Sequence, residues 1–171
     1  MDEETARLFN KIQRELEQLR TRETPLPRCA ARYTTNAGQS IPNGAFTIVD
    51  FEDLVYDTDT AVTTGASWKF TCPAGQGGPY RVSAMLLFTS TATWAAGEIA
   101  QMSVFKGGVE YTALDRKTSE SATTLYKEVK GSVDVYLSSG NYMDIRVFHN
   151  SGAALALHND GLYNYVSISR I

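Results

Sequence analysis

The sequence predicts a mainly β protein, an antiparallel jelly-roll sandwich with a helix ahead of it. Two observations carry that expectation. Beyond residue 28 the apolar residues recur with a period of two rather than 3.6, and short apolar runs are separated by glycine-rich turns. The first 24 residues do the opposite, repeating apolar residues at three- and four-residue steps in a charged background.

The N-terminal segment comes first in the chain. Asp2, Glu3, Glu4, Glu15, Glu17 and Glu23 face Arg7, Lys11, Arg14, Arg20, Arg22 and Arg28, and the later residues are far sparser in charge. Phe9 and Leu16 at heptad position a place Thr5, Ile12 and Leu19 at d, with Leu8 at g broadening the stripe. Glu3 and Arg7 make an i,i+4 pair, and Glu15 and Arg20 are placed to pair between neighbouring helices. A lone helix of about 20 residues is marginal in water, so this one needs a partner. Leucine at a with isoleucine at d leans towards three or four strands. The reading is a coiled-coil stalk over residues 1–24 built on Thr5, Phe9, Ile12, Leu16 and Leu19; the alternative is an amphipathic helix packed on its own domain. Pro25 and Pro27 end the helix and make residues 25–28 a stiff connector.

The strands follow. Tyr80, Val82, Ala84, Leu86 and Phe88 form one alternating stripe, Val133, Val135 and Leu137 a second, and Met143, Ile145 and Val147 a third. Strands are expected at 29–35, 45–51, 66–72, 79–88, 98–106, 109–116, 125–137, 141–149 and 163–171. AGQGGP at 74–79, KGG at 106–108, SSGN at 138–141 and HNDG at 158–161 supply the turns. Many short strands with such turns make a sandwich or jelly roll, here a head over residues 29–171.

WKFTCPAGQGGPYRVSA is where a family pattern emerges. Phe51 and Asp57 keep a six-residue spacing, Phe70-Thr71-Cys72-Pro73 enters a strand, and Gly78-Pro79-Tyr80 follows. With the ending SGNYMDIRVFHNSG…YNYVSISRI, residues 30 to 171 resemble the globular head of complement C1q, within the tumour-necrosis-factor-like jelly rolls. The sequence departs from that pattern at Val62, Val82 and Ala84, and in a longer AGQGG turn. The resemblance implies a homotrimer with both chain ends at its base, and a coiled coil would then replace the collagen stalk of animal relatives. It also implies a weak calcium candidate at Asp57 and Asp59.

Composition bounds the function. The 171-residue chain is 43% apolar and 20% charged, within the range of globular proteins, and its net charge of −3 offers no basic field for nucleic acid. No run is long enough for membrane insertion, and MDEETARLF is acidic where a signal peptide would be basic, which predicts synthesis in a host cytoplasm. Cys29 and Cys72 read as two buried thiols, although pairing stays open. His149 and His158 are the only histidines and read as loop residues rather than ligands; no metal-ligand spacing and no nucleophile motif occurs. No enzyme and no cofactor is expected.

The expectation is therefore a non-enzymatic homotrimeric virion protein of a phage, a capsid decoration or head fibre held by its N-terminal stalk on a capsid or tail protein. Its alternatives are a tail-attached binder of host-surface glycan or protein, and a stand-alone recognition module. Counting strands up and down from the chain ends puts the short glycine turns at the stalk end. The longer loops 89–97, 118–124 and 150–162 then face outward, with Trp94 as the candidate contact and His158 and Tyr163 beside it. The alternative for Trp94 is a plug at the top of the jelly roll.

Overall fold

The computed structural model describes residues 3–22, 29–89 and 93–171. Among these residues one helix, α1 (Glu3–Arg22), precedes thirteen strands. They are β1 (Ala30–Thr34), β2 (Ser40–Ile41), β3 (Thr47–Ile48), β4 (Asp53–Asp57), β5 (Val62–Thr63), β6 (Lys69–Thr71) and β7 (Gly78–Phe88). After them come β8 (Ile99–Lys106), β9 (Val109–Thr118), β10 (Lys127–Leu137), β11 (Tyr142–His149), β12 (Leu155–Ala156) and β13 (Tyr165–Arg170). One sheet runs β10-β7-β13-β1-β4; the other runs β5-β6-β11-β8-β9, with β3 also on β11; β12 and β2 form a small third pair. Every pairing is antiparallel.

The core lies between the two larger sheets. Tyr80, Val82, Ala84, Leu86 and Phe88 all point inward from β7, and Met143, Ile145 and Val147 answer them from β11. Aromatic rings tie the layers edge to face: Phe70 on Tyr80 at 5.3 Å between centroids, Phe51 on Trp68 at 5.2 Å, and Phe88 on Trp94 at 5.5 Å. Each of these rings is fully buried.

Several expected strands differ in extent. The run 45–51 forms only the two-residue β3, because Gln39 takes over its backbone groups. The Gln39 amide donates to the Ile48 carbonyl at 2.8 Å and accepts from the Asp50 N–H at 3.0 Å, doing with one side chain what a neighbouring strand would do. The last strand starts at Tyr165 because Asp160 folds the preceding residues into a turn, accepting the Leu162 N–H at 2.8 Å on its carboxylate. β2, β4, β5 and β12 carry no expectation from periodicity. Three are two residues long, and β4 is an edge strand whose residues Asp53, Leu54, Val55 and Tyr56 are all exposed. The connector at 25–28 lies outside the described residues, as does the side chain of Leu19.

The registers sort the loops between two ends. Phe88 faces Lys127 and Gly78 faces Leu137, while Met85 faces Tyr165 and Tyr80 faces Arg170. The turns at 73–77, 107–108 and 138–141 therefore share one end with the start of β1 and the finish of β13. The Arg170 N–H donates to the Cys29 carbonyl there at 2.9 Å. The loops around 93–98, 119–126 and 150–164 occupy the other end. At 107–108 both glycines have positive φ, 60° and 82°, as the tight turn between β8 and β9 requires.

The edges of the two sheets meet where β9 crosses β10. A Cβ on Gly131 would lie 2.3 Å from the Leu114 carbonyl oxygen, so only glycine fits. The Lys130 N–H donates to the Asp115 carboxylate at 3.0 Å beside it. Gly131→Ala is expected to destabilise the head by about 1–3 kcal/mol through overpacking, read as a lower midpoint in urea unfolding; an unchanged midpoint would mean that β9 moves aside freely.

Candidate functional site

α1 presents an apolar stripe to solvent. Leu8 is 59% exposed, Phe9 56%, Ile12 47% and Leu16 49%, and Thr5 is exposed with them. Among the described residues no helix is long and apolar enough to cross a membrane.

At the end of the head where β1 begins, the groups singled out by sequence are structural. Asp57 accepts the backbone N–H groups of Ala61 and Val62, each at 3.0 Å, and that of Asp59 at 3.3 Å. It also accepts the Tyr33 hydroxyl at 3.2 Å. Asp59 accepts the Thr58 hydroxyl at 2.6 Å. The Asp57 carboxylate thus staples its own loop, and among the described residues no three His, Cys, Asp or Glu side chains are arranged for a metal.

Cys29 and Cys72 are both free and buried, gathered around the Tyr80 hydroxyl. Cys72 Sγ lies 3.6 Å from that hydroxyl, which donates to the Gln76 carbonyl at 2.8 Å. Burial pushes the Tyr80 phenol well above its usual range. Burial, and next Asp59, pushes the Cys29 thiol up to about 12.

The opposite end departs from expectation at its centre. Trp94 is fully buried. Reciprocal 2.8 Å hydrogen bonds between the Trp94 and Thr123 backbones hold the two loops together and turn the indole into the core. Phe88 meets its ring edge to face, and the Lys127 ammonium sits 4.4 Å above it while also bonding Ser119. Burial lowers the Lys127 pKa below the ordinary lysine value. Trp94 is a plug, not an exposed contact. His149 is likewise no loop residue: it ends β11, fully buried, with Nε2 2.9 Å from the Ile41 carbonyl and Nδ1 3.0 Å from the Ser151 hydroxyl.

His158 and Tyr163 do come together on the surface of that end. The half-buried His158 ring lies between Tyr126 at 5.3 Å and Tyr163 at 5.6 Å, both edge to face and both exposed. Leu125 and Leu162, 64% and 77% exposed, adjoin these tyrosines in the chain. Beneath them the buried Asn164 stitches the loop to β7, accepting the Leu87 N–H at 3.0 Å and donating to the His158 and Asp160 carbonyls. Sequence reasoning missed Tyr126, since nothing local in TTLYKE marks a residue that meets another loop thirty positions on.

Many solved structures share this architecture. Eiger TNF from S. frugiperda aligns over 85% of this chain and 94% of its own with a TM-score of 0.59 and 11% identity. The globular domain of zebrafish complement 1qA aligns over 84% and 97%, with a TM-score of 0.59 and 15% identity. The fold is the tumour-necrosis-factor and C1q jelly roll. The PRD1 vertex protein P5 shares it, with a TM-score of 0.51 and 22% identity over 84% of this chain and 96% of that one. No protein-family model and no curated protein matches the sequence. At these identities the jelly-roll likeness establishes fold alone.

Two expectations follow from the site geometry. Trp94→Ala should cost about 3–5 kcal/mol in denaturant unfolding, as for a large buried aromatic, whereas Tyr163→Ala should leave stability nearly unchanged. A Trp94→Ala head of unaltered stability would contradict the plug. The raised Cys29 pKa means that the folded state holds this proton more tightly than the unfolded chain. Its contribution is complete below the unfolded value near 9 and is lost as pH rises towards 12. Stability should therefore fall on going from about pH 8 to about pH 11, with a shallower fall in Cys29→Ala; equal slopes in both proteins would contradict the assignment.

Proposed function

We propose that this chain is the subunit of a homotrimeric, non-enzymatic phage virion protein, a capsid decoration or head fibre. Residues 1–24 form its stalk, 25–28 its connector and 29–171 an outward-facing jelly-roll head. The observation that carries this reading is the exposed apolar stripe of α1, which precedes a head whose two chain ends share one end of the sandwich. Leu8, Phe9, Ile12 and Leu16 on a helix of 20 residues need a partner, and further copies of the same helix satisfy all of them at once.

The head offers a matching surface. The outer face of the five-stranded sheet carries Ser167, Ser83 and Ser132 side by side in register, with Arg32 stacked on Tyr165 at 4.5 Å nearby. The three serines leave the middle of this face free of bulky side chains, which suits close approach of a neighbouring head. β1 belongs to this sheet, and it follows the stalk after only a few residues, so three stalks on one axis would keep this sheet nearest the axis. A vertex protein of the same fold supports placement on a particle, with synthesis in the host cytoplasm and the stalk attached to a capsid protein.

The surface cluster of Tyr126, His158 and Tyr163 favours a second reading, a tail-attached receptor binder that engages host-surface glycan or protein through this end. A stand-alone recognition module is the third.

Light scattering on the purified chain should give three times its 18.8 kDa mass; a concentration-independent monomer or dimer would end the trimer reading. Ile12→Asp should weaken the stalk by burying like charges at one layer, while the near-ultraviolet signal of the head persists. Immunogold labelling of particles from the source should mark the capsid. Label on the tail would select the receptor binder, and label on no particle the stand-alone module.

A further inference from the structure

A hollow of about 210 Å³ opens where two short strands meet end to end along the edge of β11. β3 pairs with Arg146 and Val147, β6 pairs with Tyr142 and Met143, and the outward-facing Asp144 falls at the gap between them. Trp68, at the approach to β6, lines this hollow. It is fully buried against Phe51, and its indole N–H, like that of Trp94, has no acceptor among the described residues. A buried donor without a partner is costly, on the order of 1–3 kcal/mol, and rare enough to need a reason.

The other walls are charged and polar. Asp144, 2% exposed, is held bidentately by Arg146 at 2.6 and 3.2 Å, and Arg146 stacks on Phe105 at 4.1 Å. Lys69 meets no carboxylate among the described residues and lies 5.3 Å from the Tyr142 ring centroid. With Asp144 and Arg146 cancelling, Lys69 leaves the hollow with one uncompensated positive charge. It thus combines an indole wall, a cation, an ion pair able to take further hydrogen bonds, and the ring of a tyrosine.

The geometry points to a binding site for one carboxylate-bearing sugar, a hexuronate unit of an acidic polysaccharide. Its carboxylate faces Lys69, its hydroxyls exchange hydrogen bonds with the Asp144–Arg146 pair, and its ring lies along the wall that Trp68 forms. The volume suits a single sugar ring and exceeds that of a simple anion. Acetate would reach Lys69 or Trp68 but leave the ion pair and the tyrosine face uncontacted. The site lies on the outer face of the six-stranded sheet, away from the Tyr126–His158–Tyr163 cluster, and is complete within one chain. It stands independently of the trimer and of the particle.

The experiment is a titration of the full ¹⁵N-labelled chain with sodium glucuronate, following the Trp68 indole N–H resonance. Glucose and sodium acetate serve as matched controls at equal ionic strength. Trp68→Phe, which keeps a ring against Phe51, identifies the resonance by its loss. Glucuronate should shift it saturably, and glucose and acetate should bind at least about tenfold more weakly. Lys69→Gln should weaken glucuronate binding about tenfold with an unchanged melting temperature. The proposal is overturned by no shift, by glucose binding as well as glucuronate, or by undiminished binding in Lys69→Gln. Acetate binding as well as glucuronate overturns it too, leaving an adventitious ion only. None of these results would alter the trimer mass or the labelling of particles, so failure here is distinct from failure of the stalk-and-head reading.

Discussion

The inward stripe of β7 is the constraint around which the head is arranged. Eleven residues long and flanked on both sides, β7 pairs with β10 on one side and β13 on the other while turning Tyr80, Val82, Ala84, Leu86 and Phe88 into the core. Because side chains alternate strictly along a strand, a one-residue slip in either pairing would expose that whole stripe. The rings at its two ends do different work. Tyr80 meets Phe70 and the two thiols at the end where β1 starts; Phe88 meets Trp94 and His149 at the other. Each end of the sandwich is therefore closed by an aromatic contact made from β7 itself.

That closure explains how the loops divide their labour. Glycine turns suffice at one end, where strands follow each other directly. At the other end the connections are longer, and polar groups support them: the buried Asn164 under the 157–164 loop, the buried His149 under residues 41 and 151, and the half-buried Lys127 over Trp94. A buried polar side chain that satisfies several backbone groups can hold an irregular loop as firmly as a sheet holds a strand. On this support sit the exposed rings of Tyr126 and Tyr163, with His158 between them.

The sheets also differ in what they leave uncovered. The five-stranded sheet turns serines, Arg32 and Tyr165 outward. On the six-stranded sheet the chain around β3 folds back, and Phe46 packs on Phe105 and Phe148 at 5.1 and 5.4 Å. The relief left by that packing includes the hollow at Trp68. One face is thus suited to broad apposition, the other to a small ligand.

How much of this was legible from sequence depends on the range of the interaction involved. Period-two stripes identified β7, β10 and β11 because burial of alternate residues is written locally, residue by residue. The helix and its apolar seam were legible for the same reason, as was the order of short and long loops between the two ends. β2, β5 and β12 were not, since two-residue strands have no period, and the shortening of β3 depended on Gln39, a residue outside it. Trp94 shows the limit most clearly. In sequence it stands in a polar loop, where an aromatic reads equally as a contact or a plug. Only Thr123, twenty-nine residues on, turns it inward. The sequence alone determined a helix followed by a jelly roll, because local periodicity suffices for that. The tertiary structure decided which aromatics are core and which are surface, because that depends on partners distant in the chain.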